Sequence, residues 1–201
     1  MCGRYFLEES PELRPIVEAM NRSPLVRKFQ QSSAVLSQGE IRPTNVAPVI
    51  ASNKSGHRTV FPMRWGFTGK SLLINAKTET AAAKPTFQEA WKSHRCIVPA
   101  SWYFEWEHLP TTDGKKKTGD KYILQPKGSA VTWMCGLYRM EEDFPCYVIL
   151  TREPSEEIRF IHDRMPLMLP EQYIDEWIRL DAHPEEIIRA AQTEIIYEKA
   201  V

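Results

Sequence analysis

The chain has 201 residues, 26% charged and 42% hydrophobic, with 26 Lys+Arg against 26 Asp+Glu. That length supports one sizeable core, and the composition is that of a soluble globular protein, neither disordered nor fibrous. No run approaches the ~20 apolar residues of a membrane span, and Met1 to Ser10 hold no apolar stretch of signal-peptide length, so neither a membrane partner nor secretion is expected and the expected location is cytoplasmic.

Taken in chain order, the sequence opens Met1-Cys2-Gly3-Arg4-Tyr5. Ser10-Pro11-Glu12 reads as a helix start with Pro11 in the first turn, and Leu13, Ile16, Val17 and Met20 follow at helical spacing. Thr86-Phe87-Gln88-Glu89 matches a capping box opening a short helix through Trp91. Strand-like runs rich in β-branched and aromatic residues fall at 46–51, 59–63, 72–74, 96–98, 102–106, 122–125, 131–137 and 147–151. Residues 108–121, with Asp113-Gly114 and four lysines, read as a long exposed hairpin loop. Helical segments are expected at 155–161, 171–178 and 184–191. No repeat or linker divides the chain. The expectation is one α+β domain over 1–201: curved, largely antiparallel sheets with a barrel-like core and peripheral helices.

Charge is unevenly placed. Residues 1–100 hold 14 Lys+Arg and 7 Asp+Glu, and the second half holds 12 and 19. This marks either one anion-binding face or two halves that interleave and cancel. Cys96, Cys135 and Cys146 sit in apolar runs and read as inert core thiols, with no metal-ligand spacing among the four cysteines. No metal or cofactor is expected.

Cys2 is different. Removal of Met1 leaves a free amine and a thiol on adjacent carbons. The amine's reference pKa of about 7.7–8.0 keeps part of it unprotonated at neutral pH. Such a 1,2-aminothiol condenses with an aldehyde to an imine, and the sulfur then closes a thiazolidine ring. The bland alternative is a frayed terminus. Three further polar residues interrupt apolar runs: Asn75 after Leu72-Leu73-Ile74, Glu105 within Trp102-Tyr103-Phe104-Glu105-Trp106, and His162 after Phe160-Ile161. A carboxylate among aromatics is desolvated and its pKa rises toward the range of proton transfer, and histidine is its natural partner near neutral pH. Each also has a structural reading: a turn cap, a salt bridge, a satisfied core histidine.

Met1-Cys2-Gly3-Arg4, Asn45-Val46-Ala47-Pro48, Arg64-Trp65-Gly66, Asn75-Ala76-Lys77-Thr78-Glu79-Thr80, Phe104-Glu105-Trp106 and His162-Asp163-Arg164-Met165-Pro166 occur in this order. The set resembles the SRAP (SOS response-associated peptidase) family from residue 2 to about 180. The resemblance implies a compact, largely β domain that binds single-stranded DNA as a monomer near the bacterial nucleoid and attaches its N-terminal cysteine to abasic sites. Carried over position by position, Cys2 is the nucleophile, Glu105 the proton donor and acceptor, His162 a proton shuttle and Asn75 a holding group. Arg4, Lys77 and Arg164 match phosphate-facing positions; Trp65 and Trp106 are candidates to stack or wedge bases; Asn45 and Pro48 are candidates to line the groove. Strict alternation places Glu105 and Trp106 on opposite faces of a strand, so both reach the site only if a bulge or strand end intervenes. Departures are Lys77, where arginine is common, the absence of a tryptophan-containing extension after Gly66, and the lack of a basic tail after 193–198. These imply weaker DNA affinity or a different strand path.

Three other functions compete: a thiol peptidase acting on its own N-terminus, a glutamine amidotransferase with an N-terminal cysteine, and a non-catalytic DNA-binding module.

Overall fold

The computed structural model describes residues 2–32, 38–110 and 116–200. The first part of the chain runs β1 (Arg4–Leu7), α1 (Arg14–Asn21), α2 (Pro24–Gln31), β2 (Gly39–Ile41), β3 (Val46–Ser52) and β4 (Arg58–Trp65). It continues through β5 (Asn75–Lys77), α3 (Thr78–Ala81), α4 (Pro85–Ser93), β6 (Arg95–Ala100), β7 (Trp102–Pro110) and β8 (Lys116–Pro126). The remainder is β9 (Thr132–Glu141), β10 (Phe144–Arg152), β11 (Met165–Pro166), α5 (Ile174–Ile178), α6 (Pro184–Ile187) and β12 (Ile195–Lys199).

Five strands close on themselves in the order β10-β4-β3-β6-β9, with β9 returning to β10. Closure leaves the barrel no free edge. The pairings are antiparallel except β10 with β4, which is parallel. β6 is buried along its whole length and β3 and β10 nearly so. Strands buried on both faces read as unbroken apolar runs, which is why these segments were legible in the sequence. β10 outlasts β4: Cys146 and Tyr147 pair with Arg64 and Trp65, and then Ile149–Thr151 pair with β5. Gly66 makes this change of partner possible. Its φ of +116° excludes a side chain without strain, and its N–H donates to Tyr147 O at 2.7 Å.

The second sheet, ordered β12-β8-β7-β1-β2, is antiparallel throughout. It packs on the barrel through Tyr5, tilted against Trp65, which stacks on Tyr147; the two tyrosine hydroxyls are 2.6 Å apart. Arg95 is buried and ties two helix ends to the barrel: it donates to Trp91 O and Lys92 O at the end of α4, and to Trp177 O and Arg179 O at the end of α5.

Several expected elements are corrected. The first helix begins at Arg14, because Ser10 caps a preceding turn by accepting from the Leu13 N–H and Pro15 takes the first turn. Thr86 lies inside α4 and makes no cap; Lys84 precedes the helix. Residues 72–74 are not a strand: only Leu73 bridges, to Phe67, and the strand is the polar-edged β5 that follows. His108 and Lys121 belong to paired strands, not to a loop; Asp113-Gly114 lies outside the described residues. The segment 155–161 holds only a 3-10 turn at Glu156–Ile158, and 171–178 and 184–191 each split into 3-10 and α pieces. The two charge halves interleave. Ion pairs cross between them at Lys28–Asp143, Arg58–Asp175, Arg64–Glu141, Lys121–Glu40 and Arg164–Glu79.

Candidate active site

Cys2 enters the fold just before β1 and has no exposed surface. β1 lies between β2 and β7, with Arg4 opposite Phe104 and Tyr5 opposite Tyr103. Cys2 Sγ faces the Arg4 carbonyl at 3.8 Å. Burial, then the neighbouring Glu105 carboxylate, push the thiol far above its ordinary pKa. Both favour the protonated thiol.

Asn75 opens β5, and its Nδ2 donates to the Cys2 carbonyl at 2.9 Å. The strand switch along β10 puts it there. Asn75 Oδ1 is buried and has no partner among the described residues, which leaves it an acceptor for a further donor. Glu105 lies on the inner face of β7, 5% exposed. Its Oε1 accepts from the Trp106 N–H at 3.3 Å. Burial raises its pKa, partly opposed by that N–H. His162 is 6% exposed, and its Nε2 lies 4.0 Å from Glu105 Oε1. Its Nδ1 lies 3.0 Å from the Arg164 N–H and 2.8 Å from Asp163 Oδ1.

Alternation along β7 holds through this stretch. Glu105 faces inward with Tyr103 and Trp106 faces outward, and the ladder irregularity comes later, between Trp106 and His108. Trp106 is thus a rim residue, partly exposed, with Arg4 5.3 Å and Lys121 5.5 Å from its ring centroid. It is not packed into the core. Trp65 and Pro48 are corrections. Trp65 has no exposed surface and donates Nε1–H to Ile74 O at 2.9 Å; Pro48 is buried inside β3 opposite Pro62. Neither offers a face to a base. Asn45 is partly exposed but holds a turn, its Oδ1 accepting the Arg42 N–H at 2.9 Å. Lys77 is exposed at the end of β5. Arg164 is clamped by both oxygens of Glu79 at 2.8 Å and by Thr151 O at 2.6 Å.

Two neighbours were not read from the sequence. The Tyr103 hydroxyl is fully buried without a partner among the described residues, and burial, Cys2 and Glu105 all raise its pKa. The His108 ring centroid lies 3.9 Å from that of His162, and the His108 backbone N–H donates to Ile161 O at 3.0 Å. The inward alternation of 103 and 105 could have found Tyr103; nothing local could have found His108, which meets His162 only through the fold. Ligand atoms of His108, His162 and Asp163 lie within 4.8 Å of one another, a set able to hold a divalent ion.

Fold and site together define a protein built around an enclosed cysteine at residue 2, with an amide on its carbonyl, a carboxyl acting on its thiol and an imidazole beside that carboxyl. The family model described as SOS response associated peptidase (SRAP) matches residues 1–199, and the chain belongs to that family. It is 33% identical over 196 residues to the abasic site processing protein YoqW of Bacillus subtilis, covering 89% of this chain and 80% of that one. It is 30% identical over 158 residues to YedK of Escherichia coli, also named an abasic site processing protein, covering 71% and 67%. A crystal structure of a Bacteroides thetaiotaomicron protein superposes with a TM-score of 0.75 at 21% identity, covering all of this chain and 92% of that one; this likeness speaks to the fold.

Proposed function

We propose that this protein captures abasic sites in single-stranded DNA by forming a thiazolidine between Cys2 and the sugar aldehyde. The observation that carries the reading is a buried Cys2 whose carbonyl is held by Asn75, with Glu105 acting on its thiol and His162 beside Glu105. The names of the curated relatives support the lesion class.

With Met1 removed, the Cys2 amine attacks C1′ of the ring-opened sugar. Glu105, its pKa raised by burial, takes a proton from the attacking nitrogen and returns one to the hydroxyl that leaves as water. The resulting imine carbon is attacked by Cys2 sulfur, and the thiol proton ends on the imine nitrogen. Ring closure therefore needs no free thiolate beforehand, which fits a thiol held protonated. His162 exchanges protons between Glu105 and the solvent-exposed Asp163 side. Asn75 fixes the Cys2 carbonyl. All four residues come from one chain, so a monomer suffices, acting in the cytoplasm on nucleoid DNA; among the described residues no helix is long and apolar enough to cross a membrane. A thiol peptidase or amidotransferase would use Cys2 as a thiolate or with a base that takes its proton during attack, and burial and Glu105 favour the thiol form.

The test is a denaturing gel after incubation with an abasic single-stranded oligonucleotide. A heat-stable adduct is expected from the trimmed protein and none from Cys2→Ala. An undiminished adduct in that variant refutes the mechanism.

A further inference from the structure

The outward face of the second sheet carries a cluster that the proposed chemistry does not use. Three cations converge there on one carboxylate. Glu40 Oε1 accepts from Arg4 Nη1 at 2.9 Å and from Arg42 Nε at 2.8 Å, and Oε2 accepts from Lys121 Nζ at 3.3 Å. These residues come from β1, β2, β8 and the turn after β2, so the sheet itself assembles the cluster. Trp106 lies beside it under Arg4 and Lys121, and Lys121 also stands 3.8 Å over the Phe104 ring. A carboxylate with both oxygens saturated by a fork of cations has the charge and donor geometry of a bound phosphodiester.

We infer that Arg4, Arg42 and Lys121 form a seat for a backbone phosphate of single-stranded DNA, and that Glu40 fills it until a strand displaces the carboxylate. The inference rests on the reading of Cys2 as the lesion-capturing residue, and it adds a residue that weakens strand binding. Two observations select a DNA strand over a small anion. Trp106 offers a partly exposed indole next to the seat, and single strands combine phosphate contacts with stacking. The seat also adjoins the site through the chain itself, Arg4 following Cys2 by two residues and Trp106 following Glu105 by one. A strand with its lesion at Cys2 passes over this rim. The arrangement is self-limiting: a phosphate gains the three cations only by breaking three contacts already made, so intact strands are held weakly and release quickly.

The test uses an undamaged oligonucleotide, so that binding is measured without covalent chemistry, across a range of chloride concentrations. Glu40→Gln keeps the shape and removes the charge. It should tighten binding about two- to fivefold at low salt, the scale of releasing exposed ion pairs. It should also steepen the salt dependence by about 0.7 in log–log slope per phosphate taken up. Lys121→Gln and Arg42→Gln, in the otherwise unchanged protein, should each weaken binding and flatten the slope, and they keep the test decisive if Glu40→Gln folds poorly. Unchanged or weaker binding by a folded Glu40→Gln, or indifference of affinity to both cation variants, overturns the seat. So does calorimetric binding of inorganic phosphate in Glu40→Gln as tight as that of the oligonucleotide, which would make it a small-anion site. Crosslinking to an abasic strand is run alongside. Absence of an adduct from the trimmed protein fails the Cys2 reading and leaves the seat to be judged by the undamaged strand; an adduct with no effect of Glu40→Gln on binding fails the seat alone.

Discussion

Glu105 shows how one residue is set against the stability of the fold. Its pKa is raised above the ordinary 4.5 by burial. The folded protein therefore holds a proton that the unfolded chain has released, over the interval between the two values. The stability this brings is complete below about pH 4.5 and is lost as pH rises through the folded value. Glu105→Gln removes the cost of the buried charge, so its melting temperature should exceed that of the parent at pH 8 by about 2–4 °C, the shift expected for about 1 kcal/mol in a chain of this size, and the two should converge in acid. The same variant should form the adduct about a hundredfold more slowly. Unchanged single-turnover rates would make Glu105 structural. At this scale the sequence was informative where a polar residue broke an apolar run, as with Asn75, Glu105 and His162. It was misleading for Trp65, because an indole reads the same in a groove and in a core, and its burial between Tyr5 and Tyr147 depends on two distant strands.

Among the elements, the long strands β3, β6, β9 and β10 were legible because burial on both faces makes them continuously apolar. β1, β2, β11 and β12 were not read as strands. They are short or polar at their edges and exist because a neighbour offers a ladder: Arg4–Phe6 pair with residues 102–104, and Ile195–Lys199 pair with residues 122–126. β5 is the functional case. Only three residues long, it carries Asn75 to Cys2, and it starts where Gly66 has released β10 from β4. Gly66→Ala places a β-carbon at φ +116° and 2.7 Å from Leu72 Cδ1. Strain of this kind costs about 1–3 kcal/mol, so the melting temperature should fall by about 2–12 °C. Because β5 shifts with the turn, adduct formation should also slow. A variant that melts lower yet crosslinks at the parental rate would uncouple the turn from Asn75.

For the whole molecule, net neutrality conceals how the charges are spent. The cations nearest the site are already engaged: Arg4, Arg42 and Lys121 share the one carboxylate of Glu40, which leaves that cluster net positive, and Arg164 is paired with Glu79; Lys77 is exposed. Affinity for an undamaged strand should fall with salt by about 0.7 in log K per phosphate contacted. Neutralising Lys77 should reduce the slope more than neutralising Arg164, whose charge is balanced in place. The reverse order, measured by fluorescence anisotropy, would mean that Glu79 yields its arginine to the strand.

The pairing of β1 with β7 has a consequence for how the protein is made. Arg4 meets Phe104, and Cys2 then loses all contact with solvent. In the order of synthesis, β1 therefore waits for about a hundred more residues before its partner β7 exists. The proposed function needs Met1 removed, and an aminopeptidase, which takes an extended substrate, finds one most readily before β1 docks. Purified native protein that retains Met1 should resist trimming by added aminopeptidase, while the same protein unfolded and then refolded in the enzyme's presence should lose the methionine and gain the adduct. Efficient trimming of the native protein, seen by intact mass, would show that the terminus reopens. On this view the supply of competent protein is set by the race between processing and β1 docking, and a mutation that only speeds folding would lower activity without touching the site.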